Sequence, residues 1–166
     1  MTVTHPRSAV PTEVIGPGLI RTGRTTGLLY LGLALTGVVG NLMLRGQLYV
    51  ADDPQDTLAN LSENPSLARL EIVLELGIVL TQALTALWFY RLFRRVDSFA
   101  AISLVTFGMV NAVAILGSAA LLATALEVSD DTSLAVTGGA AATVQLLYVA
   151  SGNLWGVAGV FFGLWL

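Results

Sequence analysis

The sequence predicts an all-α fold: an integral membrane helical bundle of four transmembrane helices, with a short interfacial helix in its first outer loop. Three observations predict it. Between Arg24 and Arg45 the chain runs without a charge through TTGLLYLGLALTGVVGNLML, and three more uncharged stretches follow, at Leu76 to Tyr90, Ser98 to Leu126 and beyond Asp131. Hydrophobic residues make up 55 % of the chain and charged residues only 11 %, against about a quarter charged in a soluble domain. The charges that remain gather between the runs, where a membrane would leave them in water. In hydrocarbon a helix satisfies its own backbone, and roughly twenty apolar residues cross the layer.

Residues 1–23 read as a disordered cytoplasmic tail, because Pro6, Pro11 and Pro17 discourage regular structure there. Residues 24–166 form the transmembrane domain, with spans at about 25–44, 70–90, 98–126 and 140–166. A signal peptide is the rival reading of the first run. Its apolar core would be shorter and would lead to a small-x-small cleavage site, whereas this run ends in LMLRGQLYV. In the first outer loop, Asp53 followed by Pro54 starts a helix, with Leu58 and Leu61 on one side to lie on the membrane surface. Asn64 followed by Pro65 stops it and starts another that leads into span two. Span two reaches adequate length only if Glu71 and Glu75 sit in its outer turns. Gly138 and Gly139 precede span four.

Arginine sets the orientation, since cytoplasmic segments retain positive residues. Arg7, Arg21 and Arg24 lie before span one, and Arg91, Arg94 and Arg95 lie between spans two and three. The other two loops hold Arg45 and Arg69 among seven acidic residues. Both termini are therefore expected in the cytoplasm, with Trp88, Phe89 and Tyr90 in an interfacial aromatic belt. The scattered arginines form no continuous basic face, so no nucleic-acid partner is expected. With no Cys and a single His, His5, in the tail, thiolate, zinc and histidine chemistry are not expected, nor is any cofactor or metal.

The candidate intramembrane polar site is Glu75, Gln82, Asn111 and Asn153. Glu71, Glu75, Gln82 and Thr85 share one stripe of span two, about 80° wide at 100° per residue. A carboxylate that deep either faces the bundle and finds a partner, binding a proton or cation, or lies near the headgroups or a vestibule and is solvated. Asn111, Ala114 and Ser118 share a face of span three, suited to packing or to a substrate path. Gly32, Thr36 and Gly40 in span one, and Gly152, Gly156, Gly159 and Gly163 in span four, are spaced for close helix packing. Asn153 suggests a kink or a polar pocket.

Several segments in order resemble a known family: RTTGLLYLGLALTG, the aspartate-containing loop through LAN to SLARLEIVLE, LWFYRLFRRV, and GNLWGVAGVFFGLWL. Together, over roughly Arg21 to Leu166, they resemble the bacterial multi-pass membrane family named domain of unknown function 4386. The resemblance implies a bacterial plasma-membrane location and assigns no biochemical role. It also implies that Arg69 and Glu75 match the family's basic and acidic residues at the start of span two. Phe107 is followed by Gly108 where the family pattern often has a basic residue, so an Arg-dependent site is not expected there. Family members commonly have about six helices, so a truncated chain is expected.

Two function classes fit best. One is a non-catalytic membrane protein that packs with a membrane protein partner or a second copy, or senses envelope state. The other is a small-solute or proton- or cation-coupled carrier using the polar stripe around Glu75, with Gln145 as a further lining residue. An enzyme is not expected, because Glu71 and Glu75 have no His, Cys or Lys to work with.

Overall fold

The computed structural model describes residues 17–131 and 138–165; the first sixteen residues of the expected tail lie outside them. Every element in the described residues is helical. In chain order these are α1 (Pro17–Gly37), a π-helical stretch (Val38–Leu44), α2 (Arg45–Leu48), α3 (Pro54–Glu63), α4 (Pro65–Phe93), α5 (Ser98–Asp130) and α6 (Ala140–Trp165). Among the described residues four stretches are long and apolar enough to cross a membrane: Ile20–Leu48, Pro65–Phe93, Ser98–Asp130 and Ala140–Leu164.

The helix ends follow local chemistry. Pro17 opens α1 because its fixed φ suits a first helical position and its missing N–H is not needed there. Residues 17–23 are therefore the first turns of α1 rather than part of the tail. The Asp53 carboxylate accepts from the backbone N–H groups of Gln55 and Asp56, at 3.1 and 3.0 Å, and caps α3. Asp97 caps α5 in the same way through the Ala100 N–H, at 3.0 Å. Pro65 starts α4 directly after Asn64, so the helix of span two is longer at both ends than its uncharged core.

Span one also runs past Leu44. The Arg45 N–H bonds back to the Gly40 carbonyl, five residues earlier, which widens the helix by one residue per turn at this point. A side chain on Gly40 would meet Leu74 Cβ at 3.3 Å, so glycine lets the widened turn rest against α4. Further along the same contact, a Cβ on Gly32 would lie 3.6 Å from the Thr81 methyl, and one on Gly77 would lie 3.7 Å from the Thr36 methyl. Gly32, Thr36 and Gly40 thus form the α1–α4 seam.

The spans pack in sequence, α1 on α4, α4 on α5 and α5 on α6, while α1 and α6 make no comparable contact. Two apolar clusters fill the interior. Leu48, Leu61, Ala68, Leu122, Ala125, Leu126, Val144 and Tyr148 form one at the end bearing the acidic loop. Leu33, Ile78, Ile115 and Ala158 form the other, farther along. The short helix expected in the first loop is present, with its apolar side turned onto the bundle: Leu61 is fully buried in the first cluster and Leu58 packs against it. The perimeter is inverted relative to a soluble protein, with Leu28, Val73, Leu80, Val113 and Val160 all exposed, as lipid contact requires.

Candidate functional site

Between the two apolar clusters lies a layer of polar side chains contributed by every span. The extension of span one brings in Arg45, α4 brings Glu71 and Glu75, α5 brings Ser118, and α6 brings Tyr148, Ser151 and Trp155. Glu71 and Glu75 are each only 1 % exposed. Both face the bundle because they fall on the stripe of α4 that also buries Ile78, Gln82 and Thr85. Glu75 is therefore shielded from solvent within the bundle.

The cluster is a linked network. Arg45 donates from Nη1 to Ser151 Oγ at 2.9 Å and from Nη2 to the Tyr148 carbonyl at 2.5 Å. Its Nη1 also lies 3.9 Å from Glu71 Oε1, a charge pairing too long for a hydrogen bond. The Tyr148 hydroxyl donates to Glu71 Oε2 at 3.2 Å. Ser118 Oγ donates to Glu75 Oε1 at 3.1 Å and shares a 2.8 Å bond with Ser151 Oγ. The Trp155 indole N–H donates to the same Glu75 oxygen at 2.7 Å. The guanidinium sits 5.3 Å from the Tyr148 ring centre and 5.9 Å from that of Tyr49, and the two rings stack. Two buried carboxyl groups face a single guanidinium, and Glu71 Oε1 and Glu75 Oε2 have no hydrogen-bond partner.

Beyond Trp155 the gap between α1 and α6 opens into a cleft of about 400 Å³. Tyr30 and Leu33 from α1, Gln82 from α4, Asn111 from α5, and Trp155 and Phe162 from α6 contribute to its wall. Among the described residues no charged side chain lines it. Asn111 is fixed by a 2.6 Å bond from Nδ2 to the Ala158 carbonyl. Gln82 is fully buried, and neither its Nε2 nor its Oε1 has a partner.

Of the residues the sequence singles out, Glu75 enters the network, and Gln82 and Asn111 meet in the cleft. Asn153 does not join them. It is exposed on an uninterrupted α6, because the buried face of that helix follows Tyr148, Ser151, Trp155 and Ala158, and position 153 points away from it. The same geometry leaves most of the expected glycine stripe unpacked among the described residues. A Cβ on Gly156, Gly159 or Gly163 would meet nothing within 4 Å, since that stripe is rotated about 100° from the buried face. Gly152 alone is used, where a Cβ would lie 3.3 Å from Arg45 Nη2. Arg69 is exposed, on the side of α4 away from Glu71. Gln145 donates to the Val50 carbonyl at 3.3 Å, away from the cleft.

Sequence reasoning missed Arg45, Tyr148 and Trp155. The signal for the last two was present: Tyr148, Ser151 and Trp155 are spaced three and four apart on one helical face. Arg45 was hidden by the π-helical stretch, which keeps the chain helical past the apparent end of the span.

A family model described as Domain of unknown function (DUF4386) matches residues 25–166. No curated protein and no solved structure matches the chain.

Proposed function

The chain belongs to the DUF4386 family, and we propose that it is a non-catalytic sensing protein of the membrane that takes a small molecule from the bilayer into the cleft between α1 and α6. The observation that carries this reading is Gln82. A carboxamide held in the membrane with every polar atom unpaired costs several kcal/mol in hydrocarbon-like surroundings, about 2–7 by transfer measurements, and a bound ligand removes that cost. The cleft volume of about 400 Å³ lies within the roughly 300–1,000 Å³ of small-molecule sites. Trp155 links the cleft to the charged layer, so occupancy is felt at Glu75 and Arg45.

In this reading the chain sits in the bacterial plasma membrane with the arginine-rich ends of α1 and α4 inside, and a membrane protein partner or a second copy receives the signal. The test is native mass spectrometry of the protein extracted gently from its own membrane, beside a Gly159→Phe variant that fills the cleft. Gly159 lines the cleft and has open space around its Cβ position, so the fold tolerates the change. A lipid-soluble molecule retained by the parent protein and lost from Gly159→Phe supports the cleft. Equal retention, or none, by both refutes it.

One observation favours a carrier as the second reading: two buried carboxyl groups share one guanidinium, leaving one acid free to take up a proton or cation. Flux into proteoliposomes that Glu75→Gln abolishes would establish it, and flux unchanged in Glu75→Gln would remove it.

A further inference from the structure

We infer that the cleft selects a neutral amphiphile whose polar end presents a hydrogen-bond donor beside an acceptor, the pattern of a primary carboxamide, and that Gln82 reads that end. The inference rests on the cleft reading above and adds the chemical class of the ligand.

Three features define that class. First, among the described residues the cleft wall carries no charged side chain, and Trp155 stands between it and Glu75 with its N–H already bonded. A charged head would lie unpaired in a medium that strongly penalises it. Second, Gln82 offers two N–H donors and a carbonyl acceptor, all unpaired. Once a turn of the Gln82 side chain, fully buried as it stands, brings the amide to the cleft, a head carrying a donor and an acceptor side by side satisfies both of its halves, whereas an acceptor-only head leaves the Gln82 carbonyl without a partner. Asn111 gives one N–H to the Ala158 carbonyl and lines the same cleft; its amide also carries a second N–H and an acceptor oxygen.

Third, depth and surroundings call for an apolar body. Gln82 lies about 13 Å along α4 from Arg91 and about 25 Å from Pro65, which places it well inside the hydrocarbon layer, where no water replaces a missing partner. The rest of the wall is mainly aliphatic and aromatic, including Leu33, Ile78, Ile115 and Phe162. Because α1 and α6 do not close on each other, a hydrocarbon tail can continue from the cleft into lipid.

Dodecanamide, dodecane and dodecyltrimethylammonium, each titrated onto the full-length protein in nanodiscs and counted by native mass spectrometry, test the inference. The expected result is one dodecanamide per chain, weakened about tenfold by Gln82→Leu, with little binding of the cation. Should Gln82→Leu fail to fold, Gln82→Met gives the same comparison. Dodecane binding as tightly as dodecanamide, or dodecanamide binding untouched by the Gln82 variants, overturns the ligand class and leaves the cleft standing. Dodecanamide binding that survives Gly159→Phe as well overturns both. No binding of dodecanamide to the parent protein overturns the class, and the cleft is then judged by the retained molecule alone.

Discussion

Trp155 donates its indole N–H to Glu75 Oε1 at 2.7 Å while its ring forms part of the cleft wall. One side chain thus belongs to both halves of the site. Trp155→Phe keeps the ring surface and deletes the donor, leaving Glu75 with Ser118 as its hydrogen-bond partner. The expected loss is about 1–3 kcal/mol, the range for depriving a buried acceptor of a strong bond, read as a lower unfolding midpoint in detergent. Glu75→Gln in the Trp155→Phe background should recover part of that loss, since an amide tolerates the missing donor better than a carboxylate.

Arg45 is the cation that ties α2 to α4 and α6. Removing one member of a buried charge pair usually costs about 3–5 kcal/mol, because the surviving charge is left unmatched. Arg45→Met should therefore be strongly destabilising, and Arg45→Met combined with Glu71→Gln should be less so than the sum of the two changes. Strict additivity in that cycle would show that the 3.9 Å approach carries no coupling. Arg45→Lys should rescue poorly, because a single ammonium cannot reproduce two separated donors in a fixed fork.

The periodicity of α4 made the two carboxyl groups of this network legible. Glu71, Glu75, Gln82 and Thr85 fall on one stripe in the sequence, and all four are buried in the structure. The proline and aspartate signals at Asp53, Pro54 and Pro65 located the helix starts for the same reason: capping is chemistry within a few residues. What could not be read depends on how helices are rotated against one another. In α6 the glycine stripe was the more conspicuous pattern, yet the bundle buries the adjacent face with Tyr148, Ser151 and Trp155. Arg45 looked like a loop charge because span one appeared to end at it, and only the π-helical hydrogen bond from Arg45 to Gly40 carries the helix on.

The two kinds of glycine predict opposite outcomes. Gly40→Val pushes a branched side chain into Leu74, already 3.3 Å from a bare Cβ, and should lower stability by about 1–3 kcal/mol through overpacking. Gly156→Leu meets open space and should leave the unfolding midpoint of the monomer within about 0.5 kcal/mol. If Gly156→Leu instead changes the oligomeric state by light scattering in detergent, that stripe is a contact between chains.

Gln82→Leu should raise the unfolding midpoint of the ligand-free protein, an unusual direction for a buried substitution. Leucine has comparable bulk and carries none of the unpaired polar atoms, so the change relieves a desolvation cost at the wall of the cleft. A lower midpoint would mean that the Gln82 amide has partners inside the bundle.

Orientation can be tested cleanly because the chain has no Cys, so each introduced thiol reports alone. Arg94 and Glu63 stand at opposite ends of α4 and its preceding helix, and both are exposed. The excess of arginine near Arg94 and of acids near Glu63 predicts the former inside. In intact cells, a membrane-impermeant maleimide should label Glu63→Cys and spare Arg94→Cys, which should react once the membrane is opened. The reverse pattern would invert the bundle and put Arg45 and its two carboxyl partners in the inner half of the membrane, where the charge surplus would face the cytoplasm instead of the outside.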